Sequence, residues 1–208
     1  TQNIGGGNMG VRTAAEMRII VIILNPNEYA LTTFAAPNVN QNDTVNFQFG
    51  VTNYGEPSLT ARGKVNITLV DSDVLIGVAR TEDLSVASTE TKYAFAPFST
   101  VGLRIGTYYA SAVLKWGKEN YSEFNQTFNI GAQQAYISDY TKEFVKDAIN
   151  KMEISARSGW NNKMENVYAD VKILDGNNVT LQSFRTISAE LPPWQTATLT
   201  GYFDTAGL

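Results

Sequence analysis

The sequence predicts an all-β, immunoglobulin-like β-sandwich protein in two lobes, on three observations. Nearly every segment alternates apolar and polar residues with period two, and Gly, Pro, Asn or Asp bound those segments at the spacing of a sandwich. The 208 residues are 43% hydrophobic and 17% charged, enough apolar material for a buried core and too much for a disordered chain.

The first element departs from alternation. Met17-Arg18-Ile19-Ile20-Val21-Ile22-Ile23-Leu24 is apolar on both faces apart from Arg18, so it needs cover on both sides. At about 1.5–3 kcal/mol per large side chain, sheltering it is worth on the order of 10 kcal/mol, and left open it is an aggregation-prone edge. A Gly-rich lead, Ile4-Gly5-Gly6-Gly7-Asn8-Met9-Gly10, precedes it and the turn signal Asn25-Pro26-Asn27 follows. Two readings are open. The strand is either a central strand of its own lobe, or it leaves its subunit and completes the sheet of a neighbour by strand addition.

The following elements alternate regularly. Val45, Phe47, Phe49 and Val51 point one way up to the turn Asn53-Tyr54-Gly55-Glu56-Pro57, and Val65, Ile67 and Leu69 up to Asp71-Ser72-Asp73. Residues 74–79, 93–98, 106–116 and 124–130 continue the series. Over 138–150 the spacing of Tyr140, Phe144, Ala148 and Ile149, with Asp139 as a cap, predicts one short helix. Alternation resumes at Met152, Ile154 and Ala156, then at Val167, Ala169, Val171 and Ile173.

A faint internal repeat links the halves. Residues 64–71 lead to Ser99-Thr100-Val101-Gly102-Leu103, and 169–175 lead to Asp204-Thr205-Ala206-Gly207-Leu208, with Asp71 to Leu103 and Asp175 to Leu208 separated by 32 and 33 positions. The first copy continues into 106–116 and 124–130, so a true repeat leaves the second sheet system short of its last strands. The alternative is generic sandwich punctuation, with both halves forming one larger sandwich. The resulting division is a tail at 1–24, a first β domain at 25–131 and a second, strand-incomplete β domain at 132–208.

Composition narrows function. Zero Cys and zero His exclude disulfides, thiol nucleophiles, Ser-His-Asp triads and imidazole bases. Net charge −4, without a basic cluster, argues against nucleic acid. The longest apolar run, Ile19 to Leu24, is far short of the ~18 residues of a membrane span. Thr1 in place of Met fits a mature chain after signal-peptide removal or a trimmed one. Polarity carried by Asn, Thr, Ser and Gln suits an extracellular, cell-surface setting and reduces reliance on acid-labile ion pairs. Five N-glycosylation sequons, at Asn42, Asn66, Asn120, Asn125 and Asn178, fit the same setting.

The remaining motifs read as structure. Gly5 to Gly10 satisfies G-x-G-x-x-G but lacks the flanking strand and helix of a nucleotide site. Asp71-Ser72-Asp73 and Asp175-Gly176-Asn177 have calcium-ligand chemistry and also turn chemistry, and the turn reading is preferred. Trp116, Trp160 and Trp194 are read as core side chains rather than a sugar-stacking face. Glu56, Glu123, Glu165 and Glu190 lack the context of a glycosidase pair, and alternation turns Lys115 to solvent rather than into an isopeptide crosslink. No catalytic residue, metal site or cofactor is expected.

One end thus carries a surplus apolar strand and the other a fold short of strands. A head-to-tail contact between them does not close and builds a fibre. Here the sequence resembles the subunits of archaeal thread filaments, through the Gly-rich lead and apolar strand from Ile4 to Leu24, the missing Cys and His, and the scattered sequons. That resemblance implies a pilin-like sandwich in a glycosylated adhesive surface fibre, a homopolymer joined by donor-strand complementation as in type-I pili. Type-I pilins often carry a disulfide that this chain cannot form. The implied donor segment presents Met17, Ile19, Val21 and Ile23 on one face and Ile20, Ile22 and Leu24 on the other. An earlier register on Ile4, Met9 and Val11 is the alternative. The competing functions are a piece of a modular archaeal surface protein with immunoglobulin-like repeats, and a carbohydrate-binding β-sandwich module.

Overall fold

The structure, a computed structural model, describes residues 23–70, 72 and 74–207. All of its regular elements are strands: β1 (Ala30–Ala35), β2 (Val39–Asn40), β3 (Thr44–Asn53), β4 (Leu59–Leu69), β5 (Leu75–Arg80), β6 (Leu84–Val86), β7 (Thr91–Ser99), β8 (Gly106–Trp116), β9 (Asn120–Gly131), β10 (Ala135–Tyr140), β11 (Ile149–Ser158), β12 (Met164–Val167), β13 (Asp170–Leu174), β14 (Thr180–Arg185), β15 (Ala189–Leu191) and β16 (Thr196–Asp204). Among the described residues no helix is long and apolar enough to cross a membrane.

The described residues of the first lobe form a two-sheet sandwich. Sheet β1-β3-β7 packs on sheet β2-β9-β8-β4-β5, with β6 also on β4. The alternating residues do what period two requires: Val45, Phe47, Phe49 and Val51 of β3 and Val65 and Ile67 of β4 are all buried. Phe47 stacks on Phe34 at 6.1 Å and meets Phe128 of β9 edge-on at 5.3 Å, joining the two sheets. Seven of the twenty buried core residues, Tyr108, Ala110, Ala112, Leu114, Trp116, Phe128 and Ile130, come from β8 and β9, so these two strands supply a third of the core.

The second lobe repeats the first at a fixed interval. Ala30 to Ala135 is 105 positions, and the same interval carries β1 to β10, β3 to β11, β5 to β14, β6 to β15 and β7 to β16. It also relates β4 to β12 and β13 together, which are one strand interrupted by an irregularity between Met164 and Val167. Asn166, at φ 56°, adds one residue there. Val171 and Ile173 therefore answer Val65 and Ile67 at an interval of 106, and the shorter following turn restores 105.

Side chains that bond to backbone keep the repeat. Thr81 N donates to Gly63 O at 3.0 Å and Thr81 Oγ1 accepts from Gly63 N at 2.8 Å; Thr186 and Ala169 do the same at 3.0 and 2.9 Å. Thr100 donates through N and Oγ1 to Asp43 O, as Thr205 does to Ala148 O. Positive φ recurs at Asn42 and Asp147, Thr89 and Trp194, Gly102 and Gly207. Buried backbone polar groups need partners in any packing, so these residues are held while the surrounding apolar ones drift.

Two expectations are corrected. Residues 138–150 form no helix: β10 runs to Tyr140, a loop follows, and β11 begins at Ile149. Asn150 stitches that loop by donating through Nδ2 to Val145 O and Ala148 O and accepting from Val145 N, and Phe144 packs edge-on against Phe203 at 4.9 Å. The helical spacing marked loop contacts. Of the three tryptophans, Trp116 is in the first core, but Trp160 and Trp194 are half-buried where the lobes meet. The two lobes also have separate core clusters in place of one larger sandwich.

Among the described residues the ion pairs are all exposed, and exposed pairs add little stability. The Glu90 carboxyl is held below its ordinary value by the Ala87 N–H and then Lys92, Glu165 by Lys163, and Asp170 by Arg185. Carboxylates lowered on folding stabilise above their ordinary range and lose that contribution as pH falls through the lowered values. The melting temperature is expected to stay nearly flat from pH 7 to about 5 and to fall only below about pH 4, which scanning calorimetry across this range would check.

Candidate functional site

Among the described residues the second lobe has no counterparts of β8 and β9. At the same interval they would stand at positions 211 to 236. Three local features go with this. β2, which pairs with β9, has no counterpart among the described residues either. The edge of β12 and β13 away from β15 and β14, which in the first lobe pairs with β8, carries no strand among the described residues. The side chains those strands would cover remain open.

The opening is a groove between β10–β11 and β13. Two adjoining depressions of about 400 and 270 Å³ share Tyr140, Met152, Val171 and Lys172, and extend to Phe144, Ile173 and Phe203 on one side and to Ile137 and Ile154 on the other. Only Ile154, Ala156, Leu191 and Leu199 form the buried cluster of this lobe, with Met152, Met164, Val167, Ala169 and Val171 half-buried around it. Val171 is half-buried where its counterpart Val65 is fully covered. Tyr140 and Ile137 are 51% and 65% exposed, whereas Phe34 on the matching strand of the first lobe rests on Phe124 of β9 at 5.7 Å.

The site is chemically able to accept an extended apolar segment: it offers an apolar trough and a backbone edge. Lys172 lines it, and Lys142 lies 5.8 Å over the Tyr140 ring at one end. Among the described residues no three His, Cys, Asp or Glu side chains converge as metal ligands.

The proposed donor residues lie mostly outside the described residues: Met17, Ile19, Ile20, Val21 and Ile22 do so entirely. Ile23 is 90% exposed and Leu24 half-buried. Of the sequon asparagines, Asn42, Asn120, Asn125 and Asn178 are exposed and Asn66 is half-buried, paired between Val78 and Ser111. Asn42 and Asn178 stand at left-handed turn positions, φ 71° and 63°, and Asn120 Nδ2 donates to Glu28 Oε2 at 3.4 Å. Asp175 is a turn residue, accepting from the N–H groups of Asn177 and Val179 through Oδ1 at 2.8 Å, whereas Asp71 and Asp73 lie outside the described residues. The groove lining escaped the sequence reading; it is built from alternating apolar residues of β10, β11 and β13 that period two alone does not distinguish from a covered core.

No protein-family model matches this chain, and no curated protein matches it. Solved structures share its sandwich architecture. Red sea bream transglutaminase is 9% identical at a TM-score of 0.40, over 86% of this chain and 27% of that one. Escherichia coli alpha-2-macroglobulin activated by porcine elastase is 10% identical at 0.36, over 88% and 19%. The Salmonella enterica SafA pilin in complex with the SafB chaperone is 10% identical at 0.33, over 87% and 86%. The chain thus spans about a quarter and a fifth of the first two. At this identity and overlap the likeness is one of β-sandwich folds and carries no functional statement.

Proposed function

We propose that this chain is a non-catalytic structural subunit of an extracellular surface fibre, an archaeal thread-like and pilus-like homopolymer that serves adhesion and carries N-linked glycans. Each subunit inserts the apolar segment Met17 to Leu24 into the open groove of a neighbour's second lobe. The observation that carries this reading is the uncovered trough and unpaired edge at β12–β13, beside a first lobe in which β8 and β9 fill the same place. The chain brings together a segment that needs cover and a lobe that needs a strand. Four large donor side chains buried on one face are worth about 6–12 kcal/mol, enough for tight association after the cost of ordering the tail.

The test compares the full chain with a variant lacking residues 1–24. The full chain is expected to form fibres visible by electron microscopy. The variant is expected to remain a folded monomer whose melting temperature rises when a synthetic peptide of residues 15–26 is added. A variant that cannot fold, or that still forms the same fibres, would overturn the proposal, as would a peptide that leaves the melting temperature unchanged.

A further inference from the structure

We infer that successive subunits meet through the same joint that connects the two lobes within one subunit, so that the 105-residue period continues across the subunit boundary. This rests on the strand-donor reading above and fixes where the neighbour sits.

The internal joint is short and pinned. β9 passes into β10 through residues 132–134. Ala132 N donates to Gly159 O at 3.0 Å, Gly159 N to Gln134 O at 2.9 Å, and Asn161 N to Asn40 Oδ1 at 2.9 Å. Gly131 lies against the Trp194 ring, where a Cβ would collide.

The chain approaches the first lobe in the same way. Tyr54 N donates to Tyr29 O at 2.8 Å, each residue 105 positions before its counterpart in the Gly159–Gln134 bond. Tyr54 O, the counterpart of Gly159 O, accepts from Asn25 N at 2.8 Å. The donor here stands two residues farther from β1 than Ala132 stands from β10. A two-residue displacement leaves the faces of a strand unchanged. Counting back from this anchor at an interval of 107, Ile23, Val21 and Met17 answer Ile130, Phe128 and Phe124 of β9. Ile130 and Phe128 point into the first core, so the odd-numbered donor face is the one that enters the neighbour. Residues 1–11, with Ile4, Met9 and Val11, stand 105 positions before β8.

A donor segment anchored at Asn25 as β9 is anchored at Ala132 would fix the position of the lobe it completes. The neighbour's second lobe then rests on this first lobe as the first lobe rests on the second. The contact of Asn40 with Asn161 transposes to Val145 of one subunit facing Glu56 of the next. Both are exposed in the single chain, Val145 at 68%.

The chain has no cysteine, so introduced pairs report contacts cleanly. Fibres of the double variant Val145→Cys, Glu56→Cys are expected to give a ladder of covalent multimers on oxidation. The variant Asn40→Cys, Asn161→Cys is expected to give an internally crosslinked monomer. Fibres that assemble normally yet yield no ladder would overturn this inference while leaving the strand-donor reading in place; a full chain that forms no fibres overturns both. Should the cysteine variants fail to fold, the wild-type fibre decides by electron cryo-microscopy. One rotation and translation relating every lobe to the next is expected, and two alternating relations would refute the shared joint.

Discussion

Val171→Glu is expected to abolish fibre formation while leaving the isolated subunit folded. In the single chain Val171 lines an open groove, where a carboxylate reaches water, so the stability cost should stay within about 1 kcal/mol. Docking of a donor strand would seal that carboxylate against Met17, Ile19, Val21 and Ile23 without a partner. Burying an unpaired charge costs several kcal/mol, so association should weaken by at least about 10²–10³-fold. Sedimentation of the variant at fibre-forming concentration, with a thermal melt of the same sample, measures both quantities. Val65→Glu is the contrasting control, for its site is closed within one molecule and the substitution should unfold the first lobe. Normal fibres from Val171→Glu would remove the groove from the assembly mechanism.

The largest effect of a side-chain truncation is expected at Phe47→Ala, about 3–5 kcal/mol. Phe47 is fully buried and touches Phe34 of its own sheet and Phe128 of the other, so no rearrangement of one strand can fill the space it leaves. The interval of 105 places Met152 at the matching position of β11. Met152 is half-buried and lines both depressions, and Met152→Ala should cost only about 1 kcal/mol in the isolated subunit. Its cost should grow when the 15–26 peptide is bound. Urea denaturation of both variants, with and without the peptide, checks the asymmetry; equal costs in the isolated chain would mean the second core is closed.

The strand pattern was legible because one face of each strand is buried. Residues 106–116 coincide with β8, and the alternating valines and phenylalanines of β3 are all inside. The repeat was visible only in fragments, at the paired V-x-I segments and the Thr-x-Gly ends, since those residues meet the same backbone or core demands in both lobes. The intervening strands differ because one set packs under β8 and β9 and the other does not. The irregularity at Asn166 shifted the register by one and blurred the match between 64–71 and 169–175. The apparent helix at 138–150 failed for a different reason: four apolar residues at helical spacing say nothing about a loop whose backbone is satisfied by the distant side chain of Thr205 and by Asn150. Trp160 and Trp194 were misread because aromatic composition alone does not distinguish a lobe interior from a junction.

The hairpin of β8 and β9 also has a mechanical meaning. Its eleven paired positions lie along the direction in which the chain leaves for the second lobe, and their hydrogen bonds run across the strands. Tension applied through β9 would therefore load these rungs together in shear rather than peel them one at a time. In the proposed fibre, drag would be resisted along the full length of the ladder.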